Sequence, residues 1–433
     1  MKKPKDLNLE TLSLHAGSRP DSDFGARATP IYQTSSFVFP DSETAVGIFN
    51  NEMAGHTYSR ITNPTNAVLE ERISSLEGGI GSISTASGQA ALFLAIITIL
   101  GKNSHIVASK SLYGGSHNLL EYTLPRLGIN TTFVDFRKPN NLKDAIQKNT
   151  GLLFGETLGN PGLDVMNIEL ISDIAHKKNL PLLVDSTFTT PYLMKPFELG
   201  ADLIFHSATK FLSGHGVVIG GLLVDSGNFD WNSNKLFKTL NEPYKGFHDM
   251  KFVDEFGPAA FINRARKEGA RDFGACMSPH TAFLILQGLE TLSLRMEKHI
   301  SNTREIVNFL SAHQEVKSVS YPELSDHPDY DLAKKILPNG CGAVFTFEIK
   351  GGYESGKKFI ESLNIFSHLA NVGDAKSLVI HPASTTHHRM NKESLRKAGI
   401  TENTVRLSIG IEDIDDLKED LDCLLYTSDA ADE

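Results

Sequence analysis

The chain has 433 residues, 40% of them apolar, with 52 acidic against 42 basic side chains and a formal net charge of −10 with histidine neutral. That composition belongs to a globular protein with a sizeable core and excludes a disordered or fibrous chain. The acidic balance argues against non-specific binding to nucleic acid or an anionic membrane, while leaving room for a local anion site.

Residues 1–66 carry many turn formers, among them Pro20, Gly25, Pro30, Pro40, Gly55 and Pro64, and are read as an extended N-terminal arm with a partner subunit to wrap. The charged N-terminus lacks the apolar segment of a secretory signal. Regular structure starts at Asn66–Leu76, where Val68, Leu69, Ile73 and Leu76 recur at helical spacing before Gly78 and Gly79. Gly88–Leu100 reads as a buried helix. Its apolar run, Ala90–Leu100, is far short of the roughly twenty residues of a membrane span. Short apolar runs then alternate with helical stretches: His105–Ala108, Thr132–Phe136, Leu152–Phe154, Leu180–Val184, Leu203–Phe205 and Val217–Val224. The alternation predicts an α/β region over 67–278, with a mainly parallel sheet covered on both faces and ligands at the carboxyl ends of its strands. Residues 279–425 are expected to form a smaller α+β domain: one long helix over Thr281–His299, then strands at Val316–Tyr321, Ala343–Glu348, Leu378–His381 and Val405–Ile409. Residues 426–433 break the preceding amphipathic pattern and are read as an appended tail. Cys276, Cys341 and Cys423 are too scattered for a disulfide framework or a zinc site, which fits a cytoplasmic protein.

Polar residues cluster where these strands end. Lys210 follows Leu203–Phe205 in HSATKFLSGHG, with Ser207 and Thr209 beside it and a glycine-rich return behind. Desolvation at such a place lowers a lysine's pKa and suits Schiff-base chemistry, although a solvated strand-end lysine reads the same way locally. Asp185 ends Leu180–Val184 and can cap a helix, bind a metal or pair with a cationic ring nitrogen. Ser87, Gly88 and Gln89 open the helix of 88–100, as an anion site or an ordinary serine cap. Tyr113, in LYGG, can stack on a planar ligand or simply pack. Asn160, in ETLGNP, can hydrogen-bond a ligand oxygen or make an Asn-Pro turn. Arg406 sits inside an apolar strand and needs a carboxylate, from a substrate or from a structural ion pair. Separately each is ambiguous; together the start of the 88–100 helix, Tyr113, Asn160, Asp185 and Lys210 fall in order along the ends of one sheet. The Gly78–Gly81 run precedes a strand and is no dinucleotide fingerprint. His381, His387 and His388 lack metal-site spacing, so no metal is expected.

With these motifs in view, the sequence resembles the Cys/Met-metabolism family of pyridoxal-phosphate enzymes from about Leu12 to Leu425. The matching stretches are YSRITNPT (58–65), SGQAA (87–91), LYGGSHNL (112–119), ETLGNP (156–161), VDSTF (184–188), HSATKFLSGHG (206–216) and VRLSIG (405–410). Within that family it is most similar to the branch of O-acetylhomoserine sulfhydrylases, through residues 288–302, 371–387 and the long insertion Asp225–Phe273. The resemblance implies the pyridoxal-phosphate transferase fold type I, with a mainly parallel seven-stranded sheet. It implies that Lys210 carries pyridoxal 5'-phosphate as a Schiff base, with Tyr113 and Asp185 as the other catalytic residues, stacking on the ring and holding its nitrogen proton. Asn160 would bind near the phenolic oxygen. Ser87, Gly88, Gln89, Ser207 and Thr209 would hold the phosphate, joined by Tyr58 and Arg60 from the neighbouring subunit of a dimer with shared sites, typically paired into a tetramer. Arg406 and Ser377 would hold the substrate carboxylate, with Tyr58 and Asn160 nearby. The implied reaction is γ-replacement on O-acetyl-L-homoserine by sulfide or methanethiol. A γ-lyase and an O-succinylhomoserine sulfhydrylase are the alternatives, and a non-catalytic carrier has no need of Arg406. Ser186 replaces the family's usual asparagine, and Lys376 weakens the case for cystathionine as product.

Overall fold

The computed structural model describes residues 7–50, 52–160, 162–385 and 400–425. His387, His388 and the tail 426–433 lie outside the described residues.

Seven strands form the first sheet: β1 (Gly81–Thr85), β2 (Ser104–Ser109), β3 (Ile129–Val134), β4 (Thr150–Glu156), β5 (Leu182–Asp185), β6 (Leu203–Ser207) and β7 (Gly221–Asp225), in the order β1-β7-β6-β5-β4-β2-β3. From β6 to β3 all neighbours are parallel, as expected; β7 alone runs antiparallel to both of its neighbours. Successive side chains of a strand point to opposite faces. Accordingly Leu182, Val184 and Ile204 enter one core, while Leu183, Leu203 and Phe205 enter the other. Both faces are dry, which is why these strands read as unbroken apolar runs.

The helices around the sheet are capped by their own sequence. Helices α1 (Leu9–His15) and α2 (Ser42–Phe49) lie in the arm. Helix α3 (Pro64–Glu77) begins earlier than its apolar spacing suggests, because Asn63 accepts the Thr65 N–H and Pro64 fits the first turn; Gly78 ends it at φ +79°. The oxygen of Ser87 accepts the Ala90 N–H to start α4 (Gly88–Ile99). Helix α4 is buried over most of its surface because the 225–273 insertion packs Trp231, Phe237 and Phe261 into the same core as Leu92 and Ile96, while Phe93 and Ile97 are only partly covered. The arm docks through Leu12, which shares a core with Leu69 and Ile73, yet Phe24 and Val38 remain 93% and 97% exposed.

The second sheet has β8 (Val316–Ser320), β9 (Val344–Ile349), β10 (Ser367–His368), β11 (Leu378–Ile380) and β12 (Thr404–Ser408), ordered β10-β11-β12-β9-β8 and antiparallel except for β10 with β11. Arg406 stands on β12 opposite Thr346 on one side and Ile380 on the other.

Three sequence expectations need correcting. The run Val217–Val224 is a strand only from Gly221, because Gly214 and Gly216 take positive φ and Val217 and Ile219 face outward. The run Thr132–Phe136 is a strand over 129–134, and a turn at Asp135 follows. The helix expected over Thr281–His299 is two helices, Pro279–Glu290 and Leu292–Ala312. They break at Thr291 because the Arg295 guanidinium takes the Gly288 carbonyl at 2.7 Å. Among the described residues no helix is long and apolar enough to cross a membrane.

Candidate active site

A cavity of about 240 Å³ opens where the carboxyl ends of β4, β5 and β6 meet the N-terminus of α4 and residues 370–372, with Arg406 from β12 in its wall. Its lining includes Ser87, Gly88, Gln89, Tyr113, Asn160, Asp185, Ser207, Thr209, Lys210 and Arg406, so ten residues singled out in the sequence meet in one place.

One end is an anion cradle. The Ser87 cap occupies the Ala90 N–H, leaving the Gly88 and Gln89 N–H groups at the positive end of α4 without an intrahelical partner. A Cβ on Gly88 would fall 2.8 Å from the Ser207 Cβ, so only glycine lets α4 come this close to the end of β6. Thr209 Oγ1 accepts the Gly220 N–H at 3.1 Å, which folds the glycine-rich return back over the same end.

The floor is ionisable. Asp185 is fixed by Thr187, whose N–H donates at 2.9 Å and whose hydroxyl donates to the same oxygen; the Ser207 N–H donates in turn to that hydroxyl at 2.9 Å. Burial pushes the Asp185 pKa up, and the Thr187 hydrogen bonds, His206 and Lys210 oppose it. Lys210 is pushed down to about 8, first by burial and then by Arg406, against the pull of Asp185. A lysine near 8 offers a substantial neutral fraction at physiological pH and is a nucleophile as well as a base. Its Nζ donates to Asn371 Oδ1. Burial also lowers Arg406, to about 10, and its Nη1 donates to Asn160 Oδ1 at 3.2 Å. Arg406 therefore has an amide neighbour and no carboxylate within ion-pair distance among the described residues. Its fork suits a carboxylate brought by a ligand.

Of the expected site residues, Ser377 lies elsewhere, and Tyr58 and Arg60, expected at a neighbouring subunit's site, lie outside this chain's own cavity. Ser377 is fully buried outside the cavity: its N–H and hydroxyl donate to Glu412 at 2.6 and 2.9 Å, and its oxygen accepts the Gly410 N–H at 2.8 Å. With those bonds made it braces the turn after β12, and Asn371, six positions earlier, faces the cavity in its place. Tyr58 and Arg60 are absent from this chain's cavity. The Arg60 guanidinium lies 5.3 Å from the centre of the Tyr58 ring and donates to the Arg271 carbonyl. Ser186, in place of the family's asparagine, bonds Thr189 Oγ1 at 3.0 Å, while Thr187 supplies the support for Asp185. The imidazole of His381 is engaged by Ser384 Oγ and the Glu402 carbonyl.

Sequence reasoning missed Asn371, Thr187 and Glu156. Thr187 had a signal, since Asp-x-Thr at a strand end is a side-chain-capped turn. Asn371 opens the 371–387 stretch that carries the resemblance, but it lies in a loop without periodicity, which gave it no role of its own.

The chemistry of the donor set fits pyridoxal phosphate: a dianion-sized cradle of N–H and hydroxyl groups, a buried carboxylate, and a lysine of lowered pKa between them. Comparison with known proteins points the same way. An O-acetyl-L-homoserine sulfhydrylase of Leptospira meyeri is 47% identical over 97% of both chains. A homocysteine synthase of Schizosaccharomyces pombe is 47% identical over 95% of this chain and 97% of its own. A crystal structure described as an O-acetylhomoserine (thiol)-lyase of Campylobacter jejuni, holding a pyridoxyl-lysine phosphate, superposes with a TM-score of 0.94 at 38% identity, covering 97% of this chain and all of that one. The model of the Cys/Met metabolism PLP-dependent enzymes (PLP, pyridoxal 5'-phosphate) matches residues 10–425, and the chain belongs to that family.

Proposed function

We propose that the chain catalyses γ-replacement on O-acetyl-L-homoserine, with sulfide or methanethiol as the incoming thiol, giving L-homocysteine or methionine and acetate. The observation that carries the reading is the facing pair, across one cavity, of Lys210, near pKa 8, and Arg406, which has no carboxylate partner among the described residues. The sulfhydrylase relatives at 43–47% identity over nearly their whole length support the choice of reaction.

Pyridoxal phosphate, when bound, supplies an electron sink for the pair released as the Cα proton leaves. The rest falls to the chain. Ser87, Gly88, Gln89, Ser207 and Thr209 hold the phosphate. Asp185 keeps the ring nitrogen protonated, with Thr187 keeping Asp185 in place. Tyr113 and Asn160 flank the ring. Arg406 receives the substrate carboxylate in a bidentate fork, with Asn371 beside it, and so orients Cα toward Lys210. Lys210, as a neutral amine, takes the proton from Cα and then one from Cβ, whose electron pair expels acetate from Cγ; the thiol adds at Cγ, and Lys210 returns the protons to Cβ and Cα. Tyr58 and Arg60 complete the phosphate end of a neighbouring copy's site, in a dimer of shared sites that pairs into a tetramer.

The test is a panel of O-acetyl- and O-succinylhomoserine against sulfide and methanethiol, scored for homocysteine, methionine, ammonia and oxoacid. Thiol-dependent product from the acetyl ester supports the reading. Ammonia and oxoacid as the main products would make the protein a γ-lyase, and preference for the succinyl ester would reassign the substrate.

A further inference from the structure

Glu156 takes no part in the chemistry above, yet it stands at the centre of the site. It is the last residue of β4, paired in register with Asp185 on β5, and it is 7% exposed. Its carboxyl faces two loops: Oε1 accepts the Tyr113 N–H at 2.6 Å, and the Asn160 N–H lies near enough to oppose the rise in its pKa. Burial and the neighbouring Asp185 carboxylate push its pKa well up, and those two N–H groups oppose the rise. A carboxyl held in such a place at a desolvation cost needs a compensating use.

The two loops it joins carry the side chains on either side of the proposed ring site. The Tyr113 ring is half exposed, so packing alone does not fix it; its backbone must. Asn160 is the residue whose Oδ1 accepts from Arg406. One carboxyl therefore sets the position of the ring-facing aromatic and, through Asn160, of the guanidinium on the second sheet. Glu156 also lines a second cavity behind the site, so it is the wall between the two.

We propose that Glu156 is a positioning residue that fixes the spacing of Tyr113 and Asn160, and with it both the slot for the cofactor ring and the seat of Arg406. The proposal rests on the reading of Tyr113 and Asn160 as ring-flanking residues. It predicts a graded response. Glu156→Ala frees both N–H groups. Glu156→Asp keeps a carboxyl but is one methylene too short to reach them. Glu156→Gln keeps the length and one acceptor oxygen.

The experiment compares these three variants with wild type as purified holoenzyme and as apo-protein titrated with pyridoxal phosphate. Glu156→Ala and Glu156→Asp should weaken cofactor binding by about tenfold and reduce the visible circular dichroism per bound cofactor, and they should raise KM for the amino-acid ester. Glu156→Gln should recover most of each loss, with the thermal midpoints of the apo-proteins close together. Wild-type cofactor affinity and circular dichroism in Glu156→Asp would overturn the proposal, as would losses in all three variants that simply follow the thermal midpoint. If Glu156→Ala does not fold, Glu156→Asp against Glu156→Gln decides alone. If wild type itself binds no pyridoxal phosphate, both this proposal and the reading beneath it fall; normal wild-type binding with indifferent variants removes this one only.

Discussion

The cavity has two walls, and they hold a ligand in different ways. The wall from the first sheet offers many neutral donors, the N–H groups of Gly88 and Gln89 and the hydroxyls of Ser207 and Thr209, with one carboxylate at the floor. The facing wall offers few groups, Asn371 and Arg406, and relies on a single buried cation. Several weak donors at fixed places share the load, so the loss of one is tolerable. One desolvated charge concentrates it, so its loss is severe. Lys210 stands between the walls and feels both, held down by Arg406 and up by Asp185.

The contrast can be broken at several points. The largest effect is expected from Lys210→Ala: the protein should purify folded, without the visible absorbance band of the bound cofactor and without turnover. An active variant would remove Lys210 from the chemistry altogether. Next is Arg406→Ala, which forfeits a bidentate charged contact and should lower kcat/KM by about 10²–10³-fold, mostly in KM, while cofactor affinity changes little.

The same variant tests the coupling of the walls. The neutral amine is the nucleophile, so covalent capture of pyridoxal phosphate by wild-type apo-protein should quicken as pH rises and level off above about 8. Removing Arg406 deletes a cation that lowers the Lys210 pKa, so the plateau should move to higher pH. Stopped-flow absorbance across pH 6.5–9.5, a window of about three units around that value, reads it directly. An unmoved plateau would mean the walls are electrically independent.

Ser207→Ala should be milder, raising the cofactor dissociation constant by about tenfold as one of several donors is lost, with KM unaffected. A thousandfold loss would show that the cradle is no shared load. Ser186→Asn should be the smallest change, within about threefold in kcat/KM, because Thr187 already makes both bonds to Asp185.

The two walls also differ in how readable they were. On the first sheet the functional residues end or closely follow buried strands, so an apolar run such as Leu203–Phe205 marks where Ser207, Thr209 and Lys210 must emerge. Arg406 was readable for the related reason that a charge inside an apolar strand stands out. Asn371 was not, because residues 369–377 have no period. Ser377 drew attention instead, and only the fold reveals that Glu412 claims it. Glu156 was passed over inside ETLGNP because its partners, the N–H groups of Tyr113 and Asn160, are backbone atoms, which leave no mark in a sequence. The helix break at Thr291 was hidden for a similar reason: Arg295 reaches back to carbonyls of the Lys210 turn and of Gly288, a tertiary event with no local signature.

The contact between Asn160 and Arg406 joins residues 246 positions apart. On a ribosome adding about 5–20 residues per second, some 10–50 s separate the two ends of that single hydrogen bond. In a nascent chain the residues of the phosphate cradle and Lys210 are made long before the arginine. The two walls are therefore made in order, the cradle wall first, and the cavity between them is complete only once β12 has been made.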